Sequence, residues 1–496
     1  MMILKTSRSN LSSNDQLSLD LPFAETKSLI ARVGPTPVFT RASGATYIGS
    51  DGLIHGVDTS TTSNTIGTGS RTFTLAATAG QDQLWRAGDA VEAANGANLM
   101  VGTVTSYTAA TQVLVCNMTT TSGSGTFTSW RIGYRGPRFD HTSAGVCRGL
   151  LIEESRTNLS ILSDQLSNAV QYGRQGLLPV SADISTAPDG NTSADKIIEN
   201  TSNSIHRLFT PSFNATSGIT YTASVFAKSD GRRYLYLNAG SPFNAQSTFD
   251  LQNGVISGTG IGSSSITNFG NGWYRCTVTG TATATGSGVV SLHINNTVST
   301  AFDDTYTGNG TSGLLLWGVQ VEAGAFATSY IPTTTAPLAR SADVCNITGG
   351  DFTNFYNQSE GTFLSNWSDF SPVNINNWPI PITTNSNFIA RSNGYSDYNP
   401  SSPGAVVMGN GSVTLESHYS RIRNILIKQA SAYSGSGMAI SSNGLAVRTN
   451  PALFATNQTF LKLHGYDTGS QFNGHFAAIR YYKKRLSNAK LQALTV

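Results

Sequence analysis

The sequence predicts a mostly β protein, built from β-sandwich domains in series and containing very little helix. The chain of 496 residues holds 50 glycines among abundant Ser, Thr and Asn, a composition typical of short strands and tight turns. Several short stretches alternate apolar and polar residues with period two, which indicates strands with one buried face. The length suggests roughly three or four domains.

Charge, cysteine content and hydropathy argue against several classes of protein. The net charge of +3 is small and no long run of Lys or Arg stands out, so nothing favours nucleic-acid binding. We expect Cys116, Cys147, Cys276 and Cys345 to be small buried residues, because they form no C-x-x-C pair and are too sparse for a disulfide framework. Residues 1–21 lack the apolar core of a signal peptide, and no window approaches the roughly 18 apolar residues of a membrane span. The sequence therefore predicts a chain made in the cytoplasm and not inserted in a membrane.

The stretch from Gly136 to Leu159 concentrates charge in a chain of which only 12% is charged. Guanidinium and amide groups fix loops against carboxylates and backbone carbonyls. We interpret the stretch as a charge-paired structural junction between domains and favour this over a catalytic cluster, because paired ionisable groups are often purely structural. The side chains of this predicted junction are Arg138, Asp140, Glu153, Glu154, Arg156 and Asn158.

The same stretch resembles a motif of virion proteins from tailed bacteriophages and gene-transfer agents. The resemblance rests on R-F-D at 138–140 and G-L-L-I-E-E-x-R-T-N-L at 149–159. Two more signatures agree: F-T-R-A-S with A-T-Y at 39–47, and T-S-Y-I-P-T with R-S-A-D at 328–343. The resemblance implies a tail fibre or head spike whose partners are other virion proteins. It also implies a homo-oligomer, with a trimer favoured, although no heptad repeat is present to enforce one.

The signatures and the composition divide the chain into parts. The first residues are expected to form an attachment arm, with a disordered tail as the alternative. A small β module is expected to interrupt a virion-proximal β region, since short strands separated by turn residues fill the interruption. The predicted parts are an arm at 1–20, a virion-proximal region at 21–59 and 132–160, an inserted module at 60–131, a sandwich at 161–335, a linker at 336–355 and a last domain at 356–496.

The sandwich at 161–335 shows the alternation most clearly, and it resembles the jelly-roll carbohydrate-binding modules of the galactose-binding-like class. If Leu235 and Leu237 face the core, Tyr234 and Tyr236 lie on the opposite face. The same argument puts Leu292 and Ile294 inside, and it predicts that Leu315, Trp317, Val319 and Val321 share one face.

This alternation predicts a carbohydrate-binding platform formed by Tyr234, Tyr236, His293 and Asn295. Aromatic rings pack against the C–H face of a sugar, while imidazole and amide groups bind its hydroxyls. The alternative is that the two tyrosines pack under a neighbouring domain or subunit.

The last domain resembles concanavalin-A-like and laminin-G-like lectin domains, on the strand F-A-A-I-R-Y-Y at 476–482 followed by R-L-S-N-A-K-L at 485–491. Ser487 is a good helix N-cap, and Leu486 with Leu491 has the spacing of a hydrophobic staple. Aromatic residues in its loops predict a glycan- or protein-binding surface, with some of them in the core. These residues are Trp367, Trp378, Tyr395, Tyr398, Tyr419 and Tyr433.

No cofactor is expected, and structural calcium is the alternative. Such modules bind calcium through oxygen-rich loops, by resemblance, and Asp189, Asn191 and Asp195 or the pair Asp303 and Asp304 could contribute to a site of this kind. None of them matches the EF-hand pattern, and we favour solvated turns.

We expect no enzymatic activity. The last domain has no E-x-D or E-x-E pair, and the chain has no G-x-S-x-G, H-E-x-x-H or P-loop motif. The expected function is adhesion of a virion to a host cell, by binding of a surface polysaccharide at lectin-like domains. The alternative is a structural component of a baseplate, head spike or capsid decoration that has no ligand of its own.

Overall fold

The computed structural model describes residues 16–76, 85–298, 304–370, 425–452, 458–465 and 471–496, and between 371 and 424 the backbone of four strands only. The protein is mostly β, with 53% strand and 4% helix, which confirms the predicted fold class. All the strand pairs within its sheets are antiparallel. Within the described part of the chain, no helix has the length and apolar character needed to cross a membrane.

Two six-stranded sheets face each other and form a central sandwich. Apolar side chains such as Val225, Leu235, Leu237, Leu292 and Ile294 fill the space between them, as the alternation predicts. Sheet 1 contains, in spatial order, Gly173–Gln175, Arg207–Phe209, Val290–Asn295, Tyr234–Ala239, Ala245–Asp250 and Val255–Thr259. Sheet 2 contains Ser181–Thr186, Thr192–Ile198, Gly313–Ala323, Thr220–Asp230, Trp273–Thr281 and Ser263–Gly270.

The prediction that Leu315, Trp317, Val319 and Val321 share one face is wrong, because the strand Gly313–Ala323 contains a bulge. The pairing of this strand with its neighbour shifts register at Gly318, which has a φ of +64°. The extra residue reverses the alternation. Leu315 and Trp317 therefore pack on the outer face of sheet 2, whereas Val319 and Val321 lie in the sandwich core.

The inserted module has a sheet and a core of its own. Sheet 3 contains, in spatial order, Val57–Ser60, Trp130–Tyr134, Ala90–Asn95, Asn98–Thr108, Val113–Ser122 and Gly69–Thr74. Phe73, Val91, Met100, Leu114 and Trp130 fill its core. The sheet therefore extends a few residues beyond the predicted range of 60–131.

An eight-stranded sheet is assembled from three distant parts of the chain. In spatial order, sheet 4 contains Arg138–His141, Cys147–Ile152, Gly474–Tyr482, Gly361–Asp369, Ile427–Ser434, Gly437–Ser442 and Arg448–Asn450. The strand Leu17–Leu21 also pairs with Gly474–Tyr482, at residues 479–482, beyond the part paired with Cys147–Ile152. Leu21, Ile152, Trp367 and Phe476 share one core.

Sheet 4 joins segments that are predicted from the sequence to lie in different domains. Residues 1–15 of the predicted arm lie outside the described residues, but Leu17–Leu21 is a strand in which Leu19 and Leu21 are fully buried. The strands at 138–152 likewise belong to the sheet of the last domain and not to a separate virion-proximal unit. Strand pairing between residues far apart in sequence joins these segments, and local patterns do not show it.

The predicted linker at 336–355 is also ordered structure. It contributes the strands Leu338–Arg340 and Val344–Thr348 and the helix Gly349–Phe355. Cys345 and Phe352 within it are fully buried in the core of sheet 4. Cys116 and Cys276 are buried too, as predicted, while Cys147 is half-buried.

The remaining elements are short. A three-stranded sheet contains Val38–Thr40, Val344–Thr348 and Phe460–Lys462, and a four-stranded sheet contains Asn377–Pro381, Asn387–Asn393, Gly404–Asn410 and Thr414–Tyr419. The strand pairs are Asn64–Thr65 with Thr126–Phe127, Arg156–Asn158 with Leu338–Arg340, Asn203–Ser204 with Tyr306–Thr307, Phe213–Ala215 with Gly286–Gly288, and Tyr47–Ile48 with Ile54–His55. The other described helices are Phe23–Thr26 and Asn488–Leu494.

The helix Asn488–Leu494 confirms the predicted cap. The Ser487 hydroxyl accepts a hydrogen bond from the Lys490 N–H at 3.4 Å. Leu486 and Leu491 are buried in one apolar cluster, as the staple spacing predicts.

Candidate functional site

A network of buried ion pairs lies on one side of the central sandwich. Its centre is Arg138, which is fully buried. Arg138 Nη1 donates to Glu153 Oε2 at 2.7 Å and to the Thr46 carbonyl at 2.9 Å, and Nη2 donates to Asp343 Oδ2 at 2.6 Å. These bonds fasten the strand Arg138–His141 to segments that precede and follow the sandwich in the sequence.

The two carboxylates of this network have further donors. Arg41 Nη1 donates to Asp343 Oδ1 at 2.8 Å, and the backbone N–H of Glu153 donates to Asp343 Oδ2 at 2.9 Å. Glu153 also accepts the N–H and the hydroxyl of Ser329, both at 2.7 Å. Arg340 Nη1 lies 3.6 Å from Glu153 Oε2. Two carboxylates are thus surrounded by three buried arginines.

The charges of the network set its protonation state. Burial on its own raises the pKa of both carboxyls, because desolvation penalises the charged form. For Glu153 the charges of Arg340 and Arg138 outweigh burial, and for Asp343 those of Arg138 and Arg41 do so, which holds each pKa below its ordinary value. Both groups are therefore ionised at neutral pH.

The network brings together the segments on which the resemblance to virion proteins rests. Arg41 comes from the first signature, Arg138 and Glu153 come from the central stretch, and Ser329 and Asp343 come from the last signature. In this protein the charged residues of these motifs form one ion-pair network that holds the segments together. This is the structural role predicted for the central stretch.

Asp140 differs from its predicted role, because it pairs outside the central stretch. Its Oδ2 is hydrogen-bonded to His475 Nε2 at 2.9 Å, and its Oδ1 accepts the Ile48 N–H at 2.6 Å. His475 lies 335 residues further along the chain, on the neighbouring part of sheet 4. Only the pairing of strands brings it near.

The other residues of the predicted junction lie outside the network and bind both neighbouring and distant segments. Arg156 forms the predicted ion pair with Glu154. Asn158 is fully buried, and its Nδ2 donates to the carbonyls of Val319 and Ile331 at 3.2 and 2.9 Å. Asn158 thus anchors the sandwich at the start of the chain segment that builds it.

A cavity of about 300 Å³ lies beside the network, between the outer face of sheet 2 and the edge of sheet 4. Its wall on sheet 2 carries the hydroxyl side chains of Ser265, Thr267, Thr277 and Thr279. Aromatic rings line the rest of it, among them Phe226, Phe269, Phe326 and Phe370. We call this cavity the cleft. Thr267 is exposed, so the cleft reaches solvent there.

Charged side chains also line the cleft. Arg275 is buried, lies 5.3 Å from the Phe226 ring centre, and donates to the Thr328 carbonyl at 2.6 Å and to Ser224 Oγ at 3.0 Å. Burial lowers the pKa of Arg275, because desolvation of the guanidinium outweighs the opposing charges of Glu322 and Glu153. Arg148, Asp140 and His475 complete the charged lining.

The sequence reasoning missed the cleft, although part of it had a signal. Cys276 and Val278 lie in the sandwich core, so alternation places Arg275, Thr277 and Thr279 on the outer face of sheet 2. An arginine and two threonines at alternate positions indicate a polar outer face, and this pattern is visible in the sequence. Nothing in the sequence indicates that Arg148 and His475 lie opposite it.

The four residues of the predicted platform come together as the alternation predicts. Tyr236 pairs with His293 and Tyr234 with Asn295 across neighbouring strands, and the rings of Tyr236 and His293 are 4.9 Å apart. The expected exposure is wrong for three of them, since Tyr236, His293 and Asn295 are 0%, 2% and 3% exposed. Tyr234 is partly exposed.

Side-chain hydrogen bonds on the same face help to explain this burial. The Tyr236 hydroxyl donates to Gln246 Oε1 at 2.9 Å and accepts from Asn238 Nδ2 at 3.2 Å, and His293 Nε2 is 2.9 Å from Ser291 Oγ. Polar groups that satisfy one another can be buried at low cost. Carbohydrate binding by these residues stays a prediction, and it requires the face to open.

His293 predicts a pH dependence of stability. Burial, with a smaller contribution from the charge of Arg207, lowers the pKa of His293 to about 3, from an ordinary value of 6.5. Between these values the unfolded chain binds a proton that the folded chain does not, so stability falls as pH falls through this window and is full above it. We expect the thermal midpoint of His293→Gln to fall less between pH 7 and pH 5 than that of the wild type. Equal slopes in a melting series across this range would contradict the assignment.

Asp189, Asn191 and Asp195 are engaged within the protein, whereas Asp304 Oδ2 is buried without a partner among the described residues. Asp189 accepts from the Asn191 N–H and side-chain amide at 3.0 and 2.8 Å, and Asp195 accepts from the backbone N–H groups of Ser167 and Asp183 at 2.8 and 2.9 Å. Asp303 lies outside the described residues. In the part of the chain that the structure describes, His, Cys, Asp and Glu form no group of three arranged to hold a metal.

The aromatic residues predicted for the loops of the last domain divide into two groups. Trp367 and Tyr433 are buried in the core of sheet 4. The side chains of Trp378, Tyr395, Tyr398 and Tyr419 lie outside the described residues.

Comparison with known proteins gives weak likenesses only. No protein-family model and no curated protein sequence matches the chain. Among solved structures, two of sialidase from Trypanosoma rangeli, one of them described as a complex with the inhibitor DANA, match at 11% identity with a TM-score of 0.23, over 96% of each chain. The same sialidase with sialic acid matches at 10% identity and a TM-score of 0.23, again over 96% of each chain.

The proteins found are sialidases, which are enzymes, and the expectation that the chain is not an enzyme is withdrawn. A TM-score of 0.23 is nevertheless too low to carry an argument about fold or activity. No activity is assigned from this likeness.

Proposed function

We propose that the chain is a surface protein of a phage-type virion, a tail fibre or other receptor-binding protein, and that it binds a polysaccharide of the host cell surface. The observation that supports this most is the cleft of about 300 Å³, in which aromatic rings face a row of Ser and Thr hydroxyls. Ligand pockets typically have this volume and this mixture of apolar wall and few polar groups. Rings and hydroxyls together suit a sugar, which has apolar C–H faces and a rim of hydroxyls.

The platform of sheet 1 is a weaker candidate for the binding site than the cleft. Three of its four residues are buried and bonded to one another or to their neighbours. The cleft, by contrast, opens to solvent and contains rings that are only half-buried, such as Phe269 and Phe370. We therefore place the polysaccharide in the cleft.

Binding of the full-length chain to purified polysaccharides tests this proposal. An array of bacterial capsular and outer-membrane polysaccharides is expected to include at least one that binds, and filling the cleft by Ser265→Phe is expected to abolish that binding. Val170→Phe, at a residue that is 89% exposed, is the matched control and should bind like the wild type. A folded wild-type chain that binds no polysaccharide on the array would refute the proposal.

A structural component without its own ligand is the second candidate, and the burial of Tyr236 favours it. On either proposal the chain is assembled onto the particle in the host cytoplasm and contacts other virion proteins, and the resemblance favours a trimer. Cryo-electron microscopy of the intact particle distinguishes the two. A cleft covered by a neighbouring virion protein supports the structural component, and a cleft open to the medium supports receptor binding.

A further inference from the structure

We infer that the cleft binds a sugar that carries a carboxylate, with Arg148 as the residue that pairs with it. This inference rests on the proposed function and narrows its ligand to acidic saccharides. Three features of the cleft support it among the described residues: an arginine without a side-chain partner, a second arginine that forms no ion pair, and a buried imidazole nitrogen without a hydrogen bond.

Arg148 lies on the strand Cys147–Ile152 and lines the cleft, where it is half-buried. It forms no ion pair and no side-chain hydrogen bond with the residues that the structure describes. The two acids of the cleft are already engaged, since Asp140 holds His475 and the Ile48 N–H, and Glu153 belongs to the ionic network. The guanidinium of Arg148 is therefore available to a ligand.

Arg275 adds positive charge from the opposite wall. Its donors reach a carbonyl and a hydroxyl, which satisfy its hydrogen bonds and leave its charge uncompensated by contact. Glu322 and Glu153 oppose this charge without an ion pair, and Glu322 itself accepts the N–H of Thr328 and is buried. Positive potential in a partly enclosed cavity attracts an anion more strongly than it would in water.

His475 supplies an independent indication of a ligand. It is 1% exposed, its Nε2 is bonded to Asp140, and its Nδ1 has no partner among the described residues. Buried polar atoms are nearly always hydrogen-bonded. An unpaired polar atom on a residue that lines a cavity therefore indicates a ligand that forms the missing hydrogen bond. A sugar hydroxyl meets this requirement, and Thr277 and Ser265, whose hydroxyls are hydrogen-bonded to each other, line the same cleft from sheet 2.

Titration calorimetry and ligand-observed NMR on the full-length chain test the inference, with D-glucuronate, D-glucose and acetate as probes. We expect glucuronate to bind at least about tenfold more tightly than glucose, since a charge-assisted hydrogen bond is worth roughly one decade or more in affinity. Arg148→Gln is expected to remove that advantage. Arg174→Gln removes the same charge from an exposed position on sheet 1 and should change nothing.

A second variant tests whether the cleft recognises the whole sugar or only its carboxylate. Thr277→Val removes a hydroxyl from the cleft and should weaken glucuronate binding several-fold, while the melting temperatures of both variants report folding. Acetate that binds as tightly as glucuronate would overturn the assignment to a sugar. Equal binding of glucose and glucuronate would overturn the role of Arg148.

The outcome also separates this inference from the proposed function. A chain that binds a neutral polysaccharide, and whose binding survives Arg148→Gln, keeps the proposed function and overturns the acidic ligand. A chain that binds glucuronate in the cleft but none of the surface polysaccharides supports the acidic site and overturns the role in host adhesion.

Discussion

Replacing Arg138 by methionine is expected to lower the free energy of unfolding by about 3–5 kcal/mol, because the change leaves Glu153 and Asp343 as buried carboxylates without their central partner. Both acids are almost completely inaccessible, so water cannot compensate for the loss. The remaining arginines, Arg41 and Arg340, each reach only one of the two carboxylates. The effect is expected in denaturant unfolding followed by tryptophan fluorescence.

Arg32→Met is the control for this prediction. Arg32 lies 2.6 Å from Glu25, whose side chain is 61% exposed, and such surface pairs contribute about 0–1 kcal/mol. Asp20, the other partner of Arg32, keeps its bond to Arg480 at 2.9 Å. If Arg138→Met unfolds at the same denaturant concentration as Arg32→Met, the network does not hold the segments together.

Leu21→Ala is expected to cost about 2–5 kcal/mol, since truncation of a fully buried leucine removes apolar burial and leaves a cavity. Leu21 is 0% exposed in the core of sheet 4, where it shares a cluster with Phe476. The effect should appear in the unfolding transition of sheet 4, although Leu21 is more than 300 residues before the strand Gly361–Asp369. Proteolysis at residues 361–369 should accelerate in the variant.

Val38→Ala provides the matched control, because Val38 is 60% exposed and its truncation should change stability by no more than about 0.5 kcal/mol. A related expectation concerns the predicted last domain on its own. A fragment of residues 356–496 lacks both Leu17–Leu21 and Cys147–Ile152, which pair with Gly474–Tyr482, and should not give a cooperative transition. Cooperative unfolding of that fragment would show that the distant strands are dispensable.

The sequence was sufficient for those features that depend on neighbouring residues. Period-two alternation placed Leu235 and Leu237 in the core and Tyr234 and Tyr236 on the other face. It could not show whether that face is covered, because the burial of Tyr236 depends on side chains that other strands provide. The same rule failed at Trp317, where a one-residue bulge reverses the faces of the strand.

The same distinction, between features set by neighbouring residues and features set by the fold, applies to the candidate site. Charge density identified Arg138 and Glu153, whose pairing is nearly local, at a separation of 15 residues. Arg41 and Asp343 were present in the signatures, but their contact spans 302 residues and follows from the fold alone. The cleft was missed for this reason, since His475 meets Asp140 only after sheet 4 has formed.

The position of the strand Leu17–Leu21 has a consequence for biosynthesis. Asp20 and its partner Arg480 are 460 residues apart, so the ribosome releases the first strand long before it makes the last one. At roughly 5–20 residues per second, this interval is on the order of 25–90 s. During that time the strand lacks the strand Gly474–Tyr482 with which it pairs, whereas the strands of the inserted module are complete after residue 134. Sheet 4 is therefore expected to close only after residue 482 has been made.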